Sequence, residues 1–151
     1  MSAGITLILT GALHVQIQQH LLPADGLEAA AVLLCKRVRS EKRLKLLCID
    51  AILVPYSQCT RVRDHIEWPG KSLLEAVDLA EPDALSLVLI HSHPGGFYGF
   101  SQADMESDER IIPQVFANFE PADQSDVVHG SAIMVPDGAI KARIYDHKHQ
   151  L

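Results

Sequence analysis

The order of apolar patterns along the 151-residue chain predicts an α/β fold, a mixed β-sheet sandwiched by two or three helices. Two observations carry that reading. A continuous apolar run at 29–35 and strand-like, mostly apolar stretches at 44–54 and 85–90 are interleaved with segments whose apolar residues recur at helical spacing. Near the C-terminal end, an Asp137-Gly138 pair between two apolar stretches is a strong hairpin signal.

Taken in order, residues 5–9 form a short β-prone run. Thr10 then caps a helix in which Leu13, Ile17 and Leu21 recur every four residues. Pro23-Ala24-Asp25-Gly26 supplies the turn that ends it. The run at 29–35 suits a buried strand. Residues 36–45 hold six of the 13 Lys and Arg and read as a solvated hairpin turn, with a docking patch for an acidic partner as the alternative. A long strand over 44–54 is ended by Pro55. Partial alternation over 59–68 predicts another, edge strand. Residues 71–80 carry Leu73, Leu74, Val77 and Leu79 and predict an amphipathic helix. A buried strand over 85–90 runs into His91. A helix from Gln102 to about Ile112 is bent or broken by Pro113, before Val115, Phe116 and Phe119. Strands over 127–135 and 139–145 flank the Asp137-Gly138 turn. One domain over 1–145 and a polar, fraying tail over 146–151 are expected.

Composition narrows the function. Hydrophobic residues make up 48% of the chain and charged residues 21%, as in a soluble globular domain. The net charge of -6 argues against a protein that neutralises nucleic-acid phosphates or binds membranes through basic residues. No apolar stretch approaches a membrane span, and nothing before Ile5 resembles a charged leader, so a cytoplasmic protein is expected. Cys35, Cys48 and Cys59 lie in or beside apolar runs and read as small buried hydrophobes. No base accompanies Cys35, which excludes a thiol mechanism there.

One segment stands apart, His91-Ser92-His93-Pro94-Gly95-Gly96-Phe97-Tyr98-Gly99-Phe100-Ser101-Gln102-Ala103-Asp104. Residues i and i+2 of a strand point to one side, so His91 and His93 aim two imidazoles at one point. Pro94 stops the strand, and a glycine-rich loop returns the chain to Asp104 in the first turn of a helix. Two His and a carboxylate with an open fourth position is the donor set of a catalytic zinc site. Ser101 and Asp104 are also a helix-capping pair, a role compatible with that one. His147 and His149 repeat the His-x-His pattern in a polar tail with no strand to orient them. His14 and His20 are expected on a helix surface, His65 on a strand, and His129 as a packed strand residue that alternatively faces the site.

The spacing His-x-His, seven residues, Ser, two residues, Asp resembles the motif of the JAMM (MPN-plus, or JAB) metalloproteases, matched without a gap by His91, His93, Ser101 and Asp104. The run Ile90-His91-Ser92-His93-Pro94-Gly95-Gly96 is most similar to the prokaryotic JAB domains. The resemblance covers most of the chain. It implies an MPN/JAB-like, cytidine-deaminase-like sheet with its helices, one zinc ion per chain held by His91, His93 and Asp104, and a catalytic Glu at the start of an early strand. Glu28, ahead of Ala29-Ala30-Ala31, is the matching position, although family members commonly carry Gly where this chain has Ala. Glu41 and Glu67 are rivals that begin no buried strand.

The implied reaction is metal-assisted amide hydrolysis, with Glu28 moving the proton and Ser101 donating to the oxyanion. The implied substrate is a ubiquitin-like modifier, cut after its terminal glycines, with a ubiquitin-activating-type enzyme as a pathway partner. Gly95, Gly96, Phe97, Tyr98 and Phe100 are candidate substrate contacts; packing of the three aromatics against the body is the alternative. Two other readings stand beside this one: a metallopeptidase acting on small peptide, amino-acid or sulfur-carrier conjugates, and a non-catalytic scaffold module, against which the complete motif counts.

Overall fold

The computed structural model describes residues 4–68, 70–118, 127–146 and 148. Among them, β1 (Gly4–Ile8), α1 (Gly11–Leu21), β2 (Ala30–Arg39), β3 (Arg43–Leu53), β4 (Thr60–Arg61), β5 (Ile66–Glu67), α2 (Lys71–Ala80), β6 (Ser86–Ser92), α3 (Gln102–Ala117), β7 (His129–Met134) and β8 (Ile140–Tyr145) follow one another. Six strands form one sheet in the order β1-β3-β2-β6-β7-β8, and β4 pairs with β5 in a separate hairpin. The sheet is mixed: β1 is parallel to β3 and β6 to β7, while the β2–β3, β2–β6 and β7–β8 pairs are antiparallel.

The central strands β2 and β6 are apolar on both faces because both faces are covered. Ala31 and Leu33 of β2 join Val88 and Ile90 of β6 under Ile17 and Leu21 of α1. Their neighbours Val32, Leu34, Leu87 and Leu89 point the other way, under Ala76, Val77 and Ala80 of α2 and Val115 of α3. This is the predicted sandwich. Among the described residues, no helix is long and apolar enough to cross a membrane.

Several local expectations need correction. The stretch at 36–45 is mostly strand: Lys36 pairs with Leu47 and Arg39 with Leu44, so backbone pairing continues where side chains turn polar, and only 40–42 turn. Residues 59–68 are a tight hairpin rather than one strand. The Val62 N–H donates to His65 O at 3.0 Å, doubling the chain back at Arg63-Asp64, which places His65 in the turn rather than on a strand. On α2, Leu74 and Leu79 face solvent, and Ser72, Ala76, Val77 and Ala80 form the buried face. α3 runs through Pro113 to Ala117 because Ile112, Val115 and Phe116, on either side of the proline, are all buried. Pro113 cannot bond the carbonyl of Glu109, and Glu109 is an exposed residue. Phe119, His147 and His149 lie outside the described residues.

Thr10 caps α1 as predicted, accepting from Leu13 N–H at 3.2 Å. Neither helix histidine is a simple surface residue. His14 Nε2 lies 2.8 Å from Gly138 O, and His20 stacks on Tyr56 with ring centroids 4.7 Å apart. At Gly130, β8 comes so close that an added Cβ would lie 2.4 Å from Arg143 O, which is why β7 carries glycine there.

His129 is wholly buried in β7, its Nδ1 accepting from Leu87 N–H at 2.9 Å and its ring packed edge-on to Phe116. Burial, with a smaller push from Arg37, depresses its pKa to about 3. The unfolded chain binds a proton there near the ordinary value of 6.5, so between pH 6.5 and 3 acid favours unfolding. Unfolding free energies from urea titrations between pH 7 and pH 4 are expected to fall more steeply for the wild type than for His129→Asn, by up to about 1.4 kcal/mol per pH unit. Parallel curves would place the acid sensitivity elsewhere.

Candidate functional site

The site sits where β6 leaves the sheet. His91 is on β6, opposite Ala30 of β2. Ser92, between the two histidines, turns to the far side and is fully buried. Its Oγ accepts from Ala29 N–H at 3.0 Å, while its own N–H donates to Ala29 O at 3.0 Å. This joins the residue after Glu28 to the residue between His91 and His93. The His93 N–H donates to Met134 O at 2.9 Å, so β7 still holds the chain just past the end of β6.

Pro94-Gly95-Gly96 then reverses direction. Gly96 adopts φ +90, a left-handed conformation suited to glycine, and its N–H donates to His93 O at 2.9 Å. The return delivers Ser101 as the N-cap of α3. Its Oγ accepts from Asp104 N–H at 3.1 Å, and Asp104 Oδ2 accepts from Ser101 N–H at 2.9 Å. The capping box fixes the Asp104 rotamer, and the fixed carboxylate points at the histidines.

Three donor side chains converge. His91 Nε2 and His93 Nε2 are 3.2 Å apart, His91 Nε2 is 3.0 Å from Asp104 Oδ1, and His93 Nε2 is 3.1 Å from Asp104 Oδ2. His93 Nδ1 lies 2.8 Å from Phe97 O. A carbonyl only accepts, so Nδ1 carries the proton and Nε2 is the atom turned to the cluster. Two imidazole nitrogens and a carboxylate that face one another need positive charge among them, and they are donors of the type zinc takes. The titration behaviour has the same cause. Burial works against the charge on His93, but hydrogen bonds to Asp104 and Phe97 prevail and raise its pKa. Burial likewise opposes the Asp104 carboxylate, and the two histidines outweigh it, holding Asp104 well below the ordinary range. Among the described residues, His91, His93 and Asp104 are the group of three that could hold a metal ion.

Glu28 lies two residues before β2, only 3% exposed. Burial pushes its pKa to about 8, against the pull of His93, with Asp104 and Asp64 adding to the rise. Glu28, Arg63, Asp64, His93, Gly95, Phe97 and Ser101 line one cleft of about 150 Å³, smaller than the usual pocket for a drug-sized ligand. The Ser101 lone pair serves the helix, so its O–H proton can be directed into that cleft. Of the loop aromatics, Phe97 is exposed and stacks on His93, with centroids 5.9 Å apart. Tyr98 and Phe100 lean on β8: the Tyr98 O–H donates to Ile140 O at 2.9 Å, and Arg143 lies 5.1 Å over the Phe100 ring. Glu67 pairs with His65 on the hairpin, away from this cleft, and Glu41 is in the exposed turn after β2.

Sequence reasoning missed Ser92, Arg63 and Asp64. The two hairpin residues reach the cleft through a turn read as strand. Ser92 acts through a partner 63 positions away, for which no local pattern exists.

A family model described as prokaryotic homologs of the JAB domain matches residues 11–145. No curated protein matches the chain. Among solved structures, the chain is similar to the solution structure of protein DSY2949 from Desulfitobacterium hafniense, with a TM-score of 0.56 and 16% identity over 94% of this chain and 83% of that one. That likeness bears on the fold alone.

Proposed function

Because the chain belongs to the prokaryotic JAB-domain family, we propose that it is a zinc-dependent peptidase that releases a ubiquitin-like modifier, cutting after the modifier's terminal glycines. The observation that carries the proposal is the convergence of His91, His93 and Asp104 beside a buried Glu28.

His91, His93 and Asp104 would hold the ion. Bound there, zinc supplies Lewis acidity at neutral pH. Glu28 takes a proton from the attacking water and hands it to the leaving amine. Its buried carboxyl exchanges protons nearer neutrality than an ordinary carboxylate, which suits a group that must both accept and donate. Ser101 directs its O–H at the oxyanion, in a position set by the cap of α3. Phe97 and the Arg63-Asp64 turn wall the cleft.

A slim extended tail suits this cleft better than a globular substrate does. A groove of about 520 Å³ between β5 and α3 shares Ile66, Trp68, Leu89 and Ile111 with a smaller pocket that reaches His91 and Asp104, and offers such a tail an approach to the cluster. Two glycines offer few contacts, so affinity for the folded modifier must supply much of the discrimination.

Ser101→Ala is expected to keep its zinc, lose about 1 kcal/mol of stability with the cap, and fall about a hundredfold in kcat. Urea titration beside steady-state rates separates the two effects, and an unchanged kcat would remove Ser101 from the chemistry.

The proposal is tested by incubating a ubiquitin-like fusion ending in Gly-Gly with the protein, with and without chelator. Cleavage after the second glycine, lost on chelation and restored by zinc, is expected. Replacing the penultimate glycine by a bulky residue should stop it. Equal cleavage of the free tail peptide and the whole fusion would favour the small-conjugate peptidase, and an intact fusion under all conditions would overturn the proposal.

A further inference from the structure

We infer that Arg61, at the end of β4, is a positioning residue for Glu28 and sets the aim of its carboxylate through the backbone. The inference rests on the assignment of Glu28 as the base. Glu28 has two peptide groups, and the hairpin holds both. On the N-terminal side, Arg61 Nη2 donates to Leu27 O at 3.4 Å, and the Glu28 N–H donates to Val62 O at 2.9 Å. On the C-terminal side, Arg61 Nε donates to Glu28 O at 2.7 Å. The φ and ψ of Glu28 are therefore pinned from both ends by two adjacent hairpin residues, and with them the direction in which its side chain leaves the backbone.

The guanidinium is itself fixed. Its Nη1 and Nη2 reach Asp25 Oδ2 and Oδ1 at 3.1 and 3.2 Å, a two-pronged geometry that lysine cannot reproduce. It lies 4.2 Å from the centre of the Tyr56 ring, which stacks on His20 of α1 and donates its O–H to His20 O at 2.5 Å. The Arg61 side chain is only 10% exposed, while Asp25 is 44% exposed. The Asp25 pair is thus the wet, weak end of the contact, and the carbonyl bonds are the sheltered end. One cation spans the end of α1, the Glu28 segment and the hairpin that walls the cleft. The Arg63-Asp64 turn and the base consequently keep a fixed relation.

Arg61→Met and the milder Arg61→Lys test this against wild type, with amide hydrogen exchange, zinc content and kinetics on the Gly-Gly fusion. Exchange at Leu27, Glu28 and Ala29 is expected to speed up in Arg61→Met while amides of α2 and α3 hold theirs and zinc stays at one per chain. The expected fall in kcat is about a hundredfold, with KM little changed, and Arg61→Lys should lie between. In the Glu28→Gln background, Arg61→Met should cost nothing further. Full additivity of the two substitutions, or unchanged exchange around Glu28 in an enzyme that cleaves the fusion, overturns the clamp. A wild type that leaves the fusion intact instead overturns the reading of Glu28 as base, while the exchange measurement still decides whether Arg61 holds the segment. Should Arg61→Met fail to fold, the same measurements on Arg61→Lys decide.

Discussion

Glu28→Gln is expected to lower kcat on a Gly-Gly fusion by roughly a hundredfold to ten-thousandfold, with zinc content and fold intact. The amide keeps the shape of the side chain but accepts no proton at neutral pH. Glu28 lies outside the three-donor cluster, so its substitution removes no candidate ligand. A second measurement isolates its protonation. In the metal-free protein the carboxyl has a pKa of about 8, against an ordinary value of 4.5. Between those values the folded state retains a proton that the unfolded chain has released. That contribution to stability is complete below pH 4.5 and is lost as the pH rises to 8. Over that window, stability should fall more steeply for the metal-free wild type than for Glu28→Gln. Near-normal turnover in the variant would transfer the proton to another acid, with Asp64 on the same cleft the first to examine.

The second large effect concerns the ion. His91→Ala and Asp104→Ala are each expected to leave the purified protein with little or no zinc by elemental analysis. Disturbing a residue that only supports a ligand typically costs ten- to hundredfold in metal affinity, and loss of a ligand should exceed about a hundredfold. The two variants should differ in stability. Asp104→Ala also removes half of the α3 capping box, at a cost of about 1 kcal/mol, whereas His91 caps nothing. Full zinc in both variants would refute the site and direct attention to the tail, where Asp146 precedes His147 and His149.

What the sequence made legible is what local geometry dictates. The His pair follows from strand alternation at the end of an apolar run. Asp104 follows from a helix start three residues beyond a serine. Both are short-range statements that hold whatever the rest of the chain does. The sandwich was legible too, because runs such as 29–35 and 85–90 need cover on both faces. The 59–68 hairpin is not legible because a two-residue strand carries too few alternating positions to show a period, and its turn residues continue the partial alternation. Continuation of α3 past Pro113 was invisible because burial of Val115 and Phe116 is a tertiary effect that overrides a local break. Arg61 and Ser92 were missed for a third reason. Their side chains hold the Glu28 segment across 33 and 63 positions by gripping its main-chain atoms, which every residue type possesses and which therefore leave no mark in the sequence.

The hydrogen bond from the His93 N–H to the Met134 carbonyl has a consequence for biosynthesis. Glu28 and its hairpin emerge early from the ribosome, and residues 91 to 104 follow well after. Yet His93, just past the end of β6, is held by β7, a strand that ends at Met134 and is made later still. A nascent chain therefore carries the whole His-x-His…Asp motif while the strand that anchors it does not yet exist. Such a chain holds the motif without its supporting strand, so the His91, His93 and Asp104 cluster can take its final geometry only after synthesis has passed residue 134.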